Sequence, residues 1–305
     1  MSFDFKTTPT LSGKVALVTG GNSGLGYETV KALALKGANV YLACRDLTKG
    51  EKAKNSLLVD NPELNIEILK LDLASIKNIT EAADQVKRAN NKIDFLINNA
   101  GLMAMPYQET EDGFESQFGV NHLGHWILTS SLLPLLLASD RSRVVTVSST
   151  ARHMSREITK GDPNFKENYS AWGSYAHSKL ANYYFAIGLH RIFASANVSQ
   201  MSLLAHPGLS NTNLQVATAA QGGGGAAGKY SEAMAAKMGM PAWRGAQSQI
   251  RAALDPAAKS GDFYGPRFAA SGPPVKLPIL KPGSAKNIER LWRISQDATG
   301  FAIKI

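Results

Sequence analysis

Tyr175 and Lys179 stand four residues apart in the segment Tyr175-Ala-His-Ser-Lys179. On a helix that spacing puts both on one face, roughly 5–6 Å apart at Cβ. A phenol has a reference pKa of about 10, and a nearby ammonium stabilises its anion. Such a pair can move a proton onto or off a substrate oxygen. Tyr27-Glu-Thr-Val-Lys31 has the same spacing, so spacing alone does not choose between the two. The elements that carry each pair must do so.

Strand and helix patterns alternate along the chain. Strands are expected over Val15–Thr19, Val40–Ala43, Ile66–Leu69, Ile93–Ile97, Arg143–Val147 and Val198–Leu204, with a last weak one near Asp262–Tyr264. Helical patterns run up to Lys36, where Gly37 stops the first, then over Leu47–Asp60, Ile76–Ala89, Gly113–Ala138 and Ser174–Phe193. Near-continuous apolar strands between helices predict an α/β fold, a parallel sheet with helices on both faces. No linker divides the chain, so residues 1–305 read as one domain. The glycines at 222–225 fall where a mobile lid would sit, within a lid region of about 209–245. A C-terminal extension spans about 270–305, and its amphipathic piece Ile288–Ile294 is expected to dock on the core.

Thr19-Gly20-Gly21-Asn22-Ser23-Gly24-Leu25-Gly26 joins the first strand to the first helix. Glycines let backbone approach a pyrophosphate closely, and the helix N-terminus offers it free N–H groups. The spacing Gly20-x3-Gly24-x-Gly26 departs from the commoner dinucleotide fingerprint, but its strand-turn-helix context supports that reading. The end of strand two separates the cofactors. An acid there would bind the adenosine ribose of NAD. This chain has Cys44-Arg45 instead. Arg45 can pair with a 2′-phosphate through its charge and donor fork, and Asn22 and Ser23 can add hydrogen bonds, so NADP(H) is the cofactor expected. The alternative is a solvated Arg45 paired with Asp46 or Glu51. Asp72, past strand three, either accepts from the adenine amine or caps the next helix.

Asn98-Asn-Ala-Gly101 ends strand four, at the edge where parallel sheets bind ligands. Asn121 lies mid-helix, an unfavourable place for asparagine unless it satisfies something specific. Ser148 and Ser149 end strand five, and His206-Pro-Gly208 with Thr212 follows strand six. In this order the motifs resemble the short-chain dehydrogenase/reductase family over essentially the whole chain. Leu42-Ala-Cys-Arg-Asp46 and Leu291-Trp-Arg-Ile-Ser295 are similar to its retinol dehydrogenase and protochlorophyllide reductase branch.

The resemblance implies a single Rossmann-type doubly wound sheet and a set of roles. Tyr175 is then the general acid/base, and Lys179 binds the nicotinamide ribose and lowers the tyrosine pKa. Ser149 positions the substrate oxygen; it is chosen over Ser148 because the family's serine is the second of the pair. Asn121 holds a water that relays protons from Lys179. Cofactor contacts fall to Gly20, Asn22, Ser23, Gly24, Leu25, Gly26, Arg45, Asp72, Leu73, Asn99, Ala100, Gly101, Tyr175, Lys179, Pro207, Gly208 and Thr212. Ser149 and Tyr175 are 26 residues apart, longer than usual in the family, so a segment of about 150–172 is inserted over the site. The implied reaction is hydride transfer between NADP(H) and the carbonyl or alcohol of a hydrophobic small molecule. Ring C=C reduction, as in the protochlorophyllide branch, needs a cysteine near the substrate, and the only one is Cys44. The other alternative is a non-catalytic NADP(H)-binding sensor or scaffold.

Composition narrows the partners. The net charge is +9, which suits an anionic cofactor or a nucleic acid. The basic residues are scattered without aromatic interleaving, so a nucleic-acid partner is not expected. The longest apolar run, Leu132–Ala138, is too short to span a bilayer, and Met1-Ser-Phe-Asp-Phe-Lys6 does not read as a signal peptide. One cysteine excludes an internal disulfide and fits a reducing, cytoplasmic setting. His122 and His125 lack a carboxylate set that would make them metal ligands and are expected to be core histidines. A homo-oligomer is compatible with the sequence.

Overall fold

Short apolar runs bounded by Gly, Asn or Pro become the strands. In the computed structural model, which describes residues 3–159, 162–210, 239–279 and 285–305, β1 (Val15–Thr19), β2 (Asn39–Cys44), β3 (Ile66–Lys70), β4 (Phe95–Asn98), β5 (Arg143–Val147) and β6 (Met201–Ala205) lie parallel. β7 (Phe263–Pro266) adds parallel to β6, and β8 (Pro274–Leu277) pairs antiparallel with β7. The order is β3-β2-β1-β4-β5-β6-β7-β8. The chain therefore reverses its direction of travel between β1 and β4, and the crevice at such a point takes ligands in open α/β sheets.

Both faces of this sheet are covered, as strands buried at every position demand. β1, β4 and β6 are of that kind. Alternate residues feed opposite layers. Leu17 joins Leu96, Trp126 and Phe185 on one side, while Val18 joins Val30, Ile97 and Ile250 on the other. The first layer packs α3 (Ile76–Ala89), α4 (Gly124–Leu137) and α5 (Ala171–Ser195); the second packs α1 (Gly24–Leu35), α2 (Leu47–Asp60) and α6 (Gln247–Leu254). α5 is buried nearly all round as far as Leu189, because α7 (Ala285–Thr299) covers its outer face. There Trp292 fills the space that a side chain at Gly188 would occupy, within 2.2 Å of its would-be Cβ.

The long helical pattern from Gly113 is not one α-helix. Glu115 caps a short turn, Ser116–Phe118, by accepting from the N–H groups of Gln117 (2.9 Å) and Phe118 (2.8 Å). A π-helical turn, Gly119–Leu123, precedes α4 and carries Asn121. Such turns are rare and cluster at functional places. β8 was not expected: part of the C-terminal extension is an edge strand. Ile288–Ile294 lies within α7, with Leu291 fully buried. The segment of about 150–172, expected as an insertion, is tied down at several points. Tyr169 donates to Met105 O, Ile158 N to Asn287 Oδ1, and Arg290 to Ile158 O. Most of the segment expected as a lid, with its glycines, lies outside the described residues. Its margins are the Ser210–Met240 bridge and the helical turn Ala242–Gly245. Among the described residues, no helix is long and apolar enough to cross a membrane.

Candidate active site

A cleft of about 1180 Å³ runs along the carboxyl edge of the sheet. Gly20, Asn22, Ser23, Gly24, Leu25 and Gly26 line one end, and Ser149, Tyr175, Lys179, Pro207 and Gly208 the other, with Asn99, Ala100 and Gly101 between. The topology makes this possible, since the turns after β1, β4, β5 and β6 all open on one edge.

Thr19 organises the junction of β1 and β4. Its hydroxyl oxygen accepts from Asn99 N and Ala100 N, each at 2.9 Å, and lies 2.8 Å from His125 Nε2. His125 Nδ1 is 3.0 Å from Asn121 O. The carbonyl accepts, which assigns the proton to Nδ1 and leaves Nε2 to accept from Thr19. Asn99 Nδ2 donates back to Thr19 O at 2.8 Å. Gln249 on α6 closes the turn from outside, donating to Thr29 Oγ1 (2.7 Å) and Asn99 Oδ1 (3.0 Å). Sequence reasoning missed Gln249; it carries no local signal, because the partners lie 150 or more residues away. The turn has no room for side chains at Gly26, whose Cβ would fall 2.1 Å from Gly20 O. A bare backbone cradle at a helix N-terminus fits a phosphate.

At the other end, Tyr175 and Lys179 are 6% and 5% exposed. The Lys179 ammonium lies 5.9 Å from the tyrosine ring centroid, and Nζ donates to Val147 O at 3.3 Å. Burial pulls Lys179 down to about 8, so it still carries its charge at neutral pH. Burial also pushes the Tyr175 phenol up, against a lowering by the Ser149 hydroxyl. Desolvation dominates, the Ser149 hydroxyl is the group that opposes it, and the phenol is held protonated. The serine pair separates cleanly. Ser148 is buried with its hydroxyl donated to Lys179 O at 2.7 Å, whereas Ser149 is half-buried and faces Tyr175 closely enough to affect its titration.

Asn121 satisfies the specific need its position suggests. Its amide accepts from Leu102 N (2.6 Å) and donates to Leu102 O (2.9 Å) and Ser178 Oγ (2.9 Å). It clamps the segment that follows β4 onto the π-helical turn. Both Asn121 Oδ1 and Lys179 Nζ flank Gly101, at 3.0 and 3.3 Å from its would-be Cβ.

Three expected cofactor contacts lie elsewhere. Arg45 is exposed beyond the end of β2 and does not line the cleft. Lys49 and Lys52 do, from the start of α2, which Asp46 caps. Asp72 is also outside; its carboxylate accepts from Ala74 N at 3.0 Å, and Ser75, not Asp72, caps α3. Leu73 is buried in the core against α4, where it crowds Gly124. Thr212 lies outside the described residues. Tyr27, of the competing pair, also lines the cleft and donates to Ser56 Oγ on α2 at 3.2 Å. Cys44 is buried beneath α2, against Gly50, remote from Tyr175. His122 is likewise internal, 2.8 Å from Ser295 Oγ.

The wall of the cleft beside Tyr175 is apolar. Met103 and Ala104 are buried against it, with Ala151 and Trp172 alongside. Trp172 meets the Tyr175 ring edge-on at 6.0 Å. Ala269 and Ala270, from the β7–β8 turn, complete the wall, and neither was expected.

Known proteins match this arrangement. The family model described as short chain dehydrogenase covers residues 14–222. Retinol dehydrogenase 12 of Homo sapiens is 42% identical over 209 residues, which are 68% of this chain and 65% of that protein, so the match spans just under two thirds of the human relative. The crystal structure of an uncharacterised protein from Mycobacterium paratuberculosis superimposes with a TM-score of 0.81 at 35% identity, covering 100% of both chains. A short-chain dehydrogenase from Escherichia coli CFT073, complexed with NADPH, gives a TM-score of 0.55 at 25% identity over 68% of this chain and 81% of that one. With the family model spanning the glycine turn, Ser149, Tyr175 and Lys179, this chain belongs to the short-chain dehydrogenase family.

Proposed function

We propose that this protein is an oxidoreductase that interconverts a carbonyl and an alcohol on a hydrophobic small molecule, with NADP(H) as its redox partner. The observation that carries the proposal is one cleft with a bare glycine turn at one end and, at the other, a half-buried Ser149 beside buried Tyr175 and Lys179. The nicotinamide supplies or accepts the hydride when bound. The chain handles the proton. In the reducing direction the Tyr175 hydroxyl donates it to the substrate oxygen, and the Ser149 hydroxyl holds that oxygen in reach. The Lys179 charge stabilises the tyrosinate left behind. Asn121 keeps a second lone pair on Oδ1 beside Gly101 and Lys179, where a relaying water can bind.

Charge supports NADP(H). The described residues lining the cleft include Lys49, Lys52 and Lys179 and no acid, and Arg45 stands outside near α2. An extra phosphate suits that lining better than a ribose hydroxyl alone. The similar bacterial short-chain dehydrogenase bound to NADPH supports the same reading. The apolar wall of Met103, Ala151 and Trp172 suits an apolar substrate.

A panel of aldehydes, ketones and alcohols assayed with NADPH and NADH in parallel tests this reading. Tyr175→Phe is expected to lower turnover by about 10²–10⁴-fold, the range of general acid catalysis, while NADPH still binds. Wild-type turnover in that variant would remove Tyr175 from its role. A strong NADH preference would remove the 2′-phosphate reading.

A further inference from the structure

Arg152 lies three residues past Ser149, on the 3-10 turn Thr150–Met154. It is 8% exposed, and among the described residues no acid faces it. Its guanidinium sits between two rings instead, 5.0 Å from the centroids of Tyr183 on α5 and Phe263 on β7. Nη1 donates to Ser149 O at 3.1 Å. Burying a cation without an acid is costly, and two ring faces and a carbonyl offset only part of the cost. A methionine would fill the same space without it.

Phe263 carries the contact onward. Its centroid is 5.5 Å from that of His206, which is 3% exposed. His206 Nδ1 accepts from Gly208 N at 3.1 Å and closes the turn over Pro207-Gly208. Gly208 has φ +72°, and a Cβ there would lie 2.5 Å from Ala270 O. The turn has little freedom, and its closing bond needs a neutral imidazole, because imidazolium has no acceptor.

We propose that Arg152 is a positioning residue: through Phe263 and His206 it ties the turn bearing Ser149 to the turn bearing Pro207-Gly208, and so fixes the nicotinamide end of the cleft. This rests on the dinucleotide reading above. Burial, with the charges of Arg152 and His153 on the same turn, holds His206 down to about 4. The other elements packed here present Phe263 and Gly265 from β7 and the neutral phenol of Tyr183 from α5. Arg152 therefore braces His206 and adds to the burial that keeps it an acceptor.

The test is NADPH affinity, read by fluorescence titration of the full chain from pH 8 down to about 3.5, below the value of about 4 that burial and the neighbouring charges give His206, with thermal melting at each pH to mark where the chain stays folded. Arg152→Met is expected to weaken binding at pH 7 by roughly 3- to 10-fold through misplacement of the turn. It also moves the acid loss of affinity upward by about half a pH unit or more. Arg152→Lys retains the charge and keeps the acid midpoint near that of wild type. His206→Asn can close the same turn, since an asparagine side chain accepts from the N–H two residues on, yet does not titrate, so its acid loss of affinity flattens. Should Arg152→Met fail to fold, the His206→Asn and Arg152→Lys profiles decide. Wild-type affinity and an unmoved acid midpoint in Arg152→Met would overturn the inference, as would an unchanged acid limb in His206→Asn. A wild-type chain that binds neither NADPH nor NADH at pH 7 would overturn the dinucleotide reading itself.

Discussion

Replacing Gly26 with alanine adds one carbon where the phosphate turn has no space. That carbon would lie 2.1 Å from Gly20 O, 2.7 Å from Asn99 Nδ2 and 2.8 Å from Gly20 C. Two of these atoms are backbone. Asn99 cannot swing aside, because its amide is held by Thr19 O at 2.8 Å and Gln249 Nε2 at 3.0 Å, and its N–H by Thr19 Oγ1 at 2.9 Å. Carbon contacts settle near 3.5–4.0 Å, so the turn must open by about 1 Å. Overpacking of this kind costs about 1–3 kcal/mol. The same displacement pulls backbone N–H groups away from the anion they are built to meet. At about 1.4 kcal/mol per factor of ten, NADPH affinity should fall roughly 10- to 100-fold. Gly13→Ala is the control. Gly13 has φ +74° and nothing within 4 Å of its would-be Cβ, so it incurs left-handed strain of about 1–2 kcal/mol without touching the cleft. Fluorescence titration with NADPH, beside thermal melts, separates the two. If Gly26→Ala bound NADPH within about twofold of wild type, the turn would not be the pyrophosphate cradle.

Other perturbations follow from single observations. Glu115 is fully buried, raised by burial, and accepts from Ser174 Oγ at 2.6 Å as well as from two backbone N–H groups. Glu115→Gln points an amide donor at those donors and should cost about 1–3 kcal/mol; an unchanged urea midpoint would refute the capping role. Gly188→Ala drives a carbon into the Trp292 ring, so α7 should lift, with a lower melting temperature and altered tryptophan fluorescence, while unaltered spectra and melting would show that the packing yields freely. The buried histidines set the acid limit of stability. Burial holds His122 down to about 3 and His125 and His177 down to about 4, so the folded chain keeps them neutral while the unfolded chain protonates them below about 6.5. Their contribution is complete above that value and is lost as pH falls toward 4, by about 1.4 kcal/mol per pH unit for each histidine. Unfolding free energy that stayed flat between pH 6.5 and 5 would contradict this.

What could be read from the chain in advance was local. Val15–Thr19, the glycine turn and α1 announce themselves within about twenty residues, because strand periodicity, φ-permissive glycines and helix onset are all nearest-neighbour effects. The π-helical turn at Gly119–Leu123 was invisible to a 3.6-residue period, although Asn121 hinted that the helix there was serving a specific bond. β8 escaped because Pro274–Leu277 is a short edge strand, only one residue of which is fully buried, and edge strands lack the continuous apolar run that marks a central one. Arg45 stands exposed beyond the end of β2 rather than among the residues that line the cleft. Lys49 and Lys52, one helical turn apart at the start of α2 after its Asp46 cap, line it instead.

The two Tyr-x3-Lys pairs show where chemistry and pattern part company. Both tyrosines line the same cleft, so even position relative to the ligand does not rank them. Burial does. Tyr27 is half-exposed and spends its hydroxyl on Ser56, in a setting where water screens any ammonium nearby. Tyr175 and Lys179 are both nearly dry. There the ammonium lies 5.9 Å from the phenol ring, with little water between them to screen it. Spacing selects which residues can meet; desolvation decides which meeting has consequences.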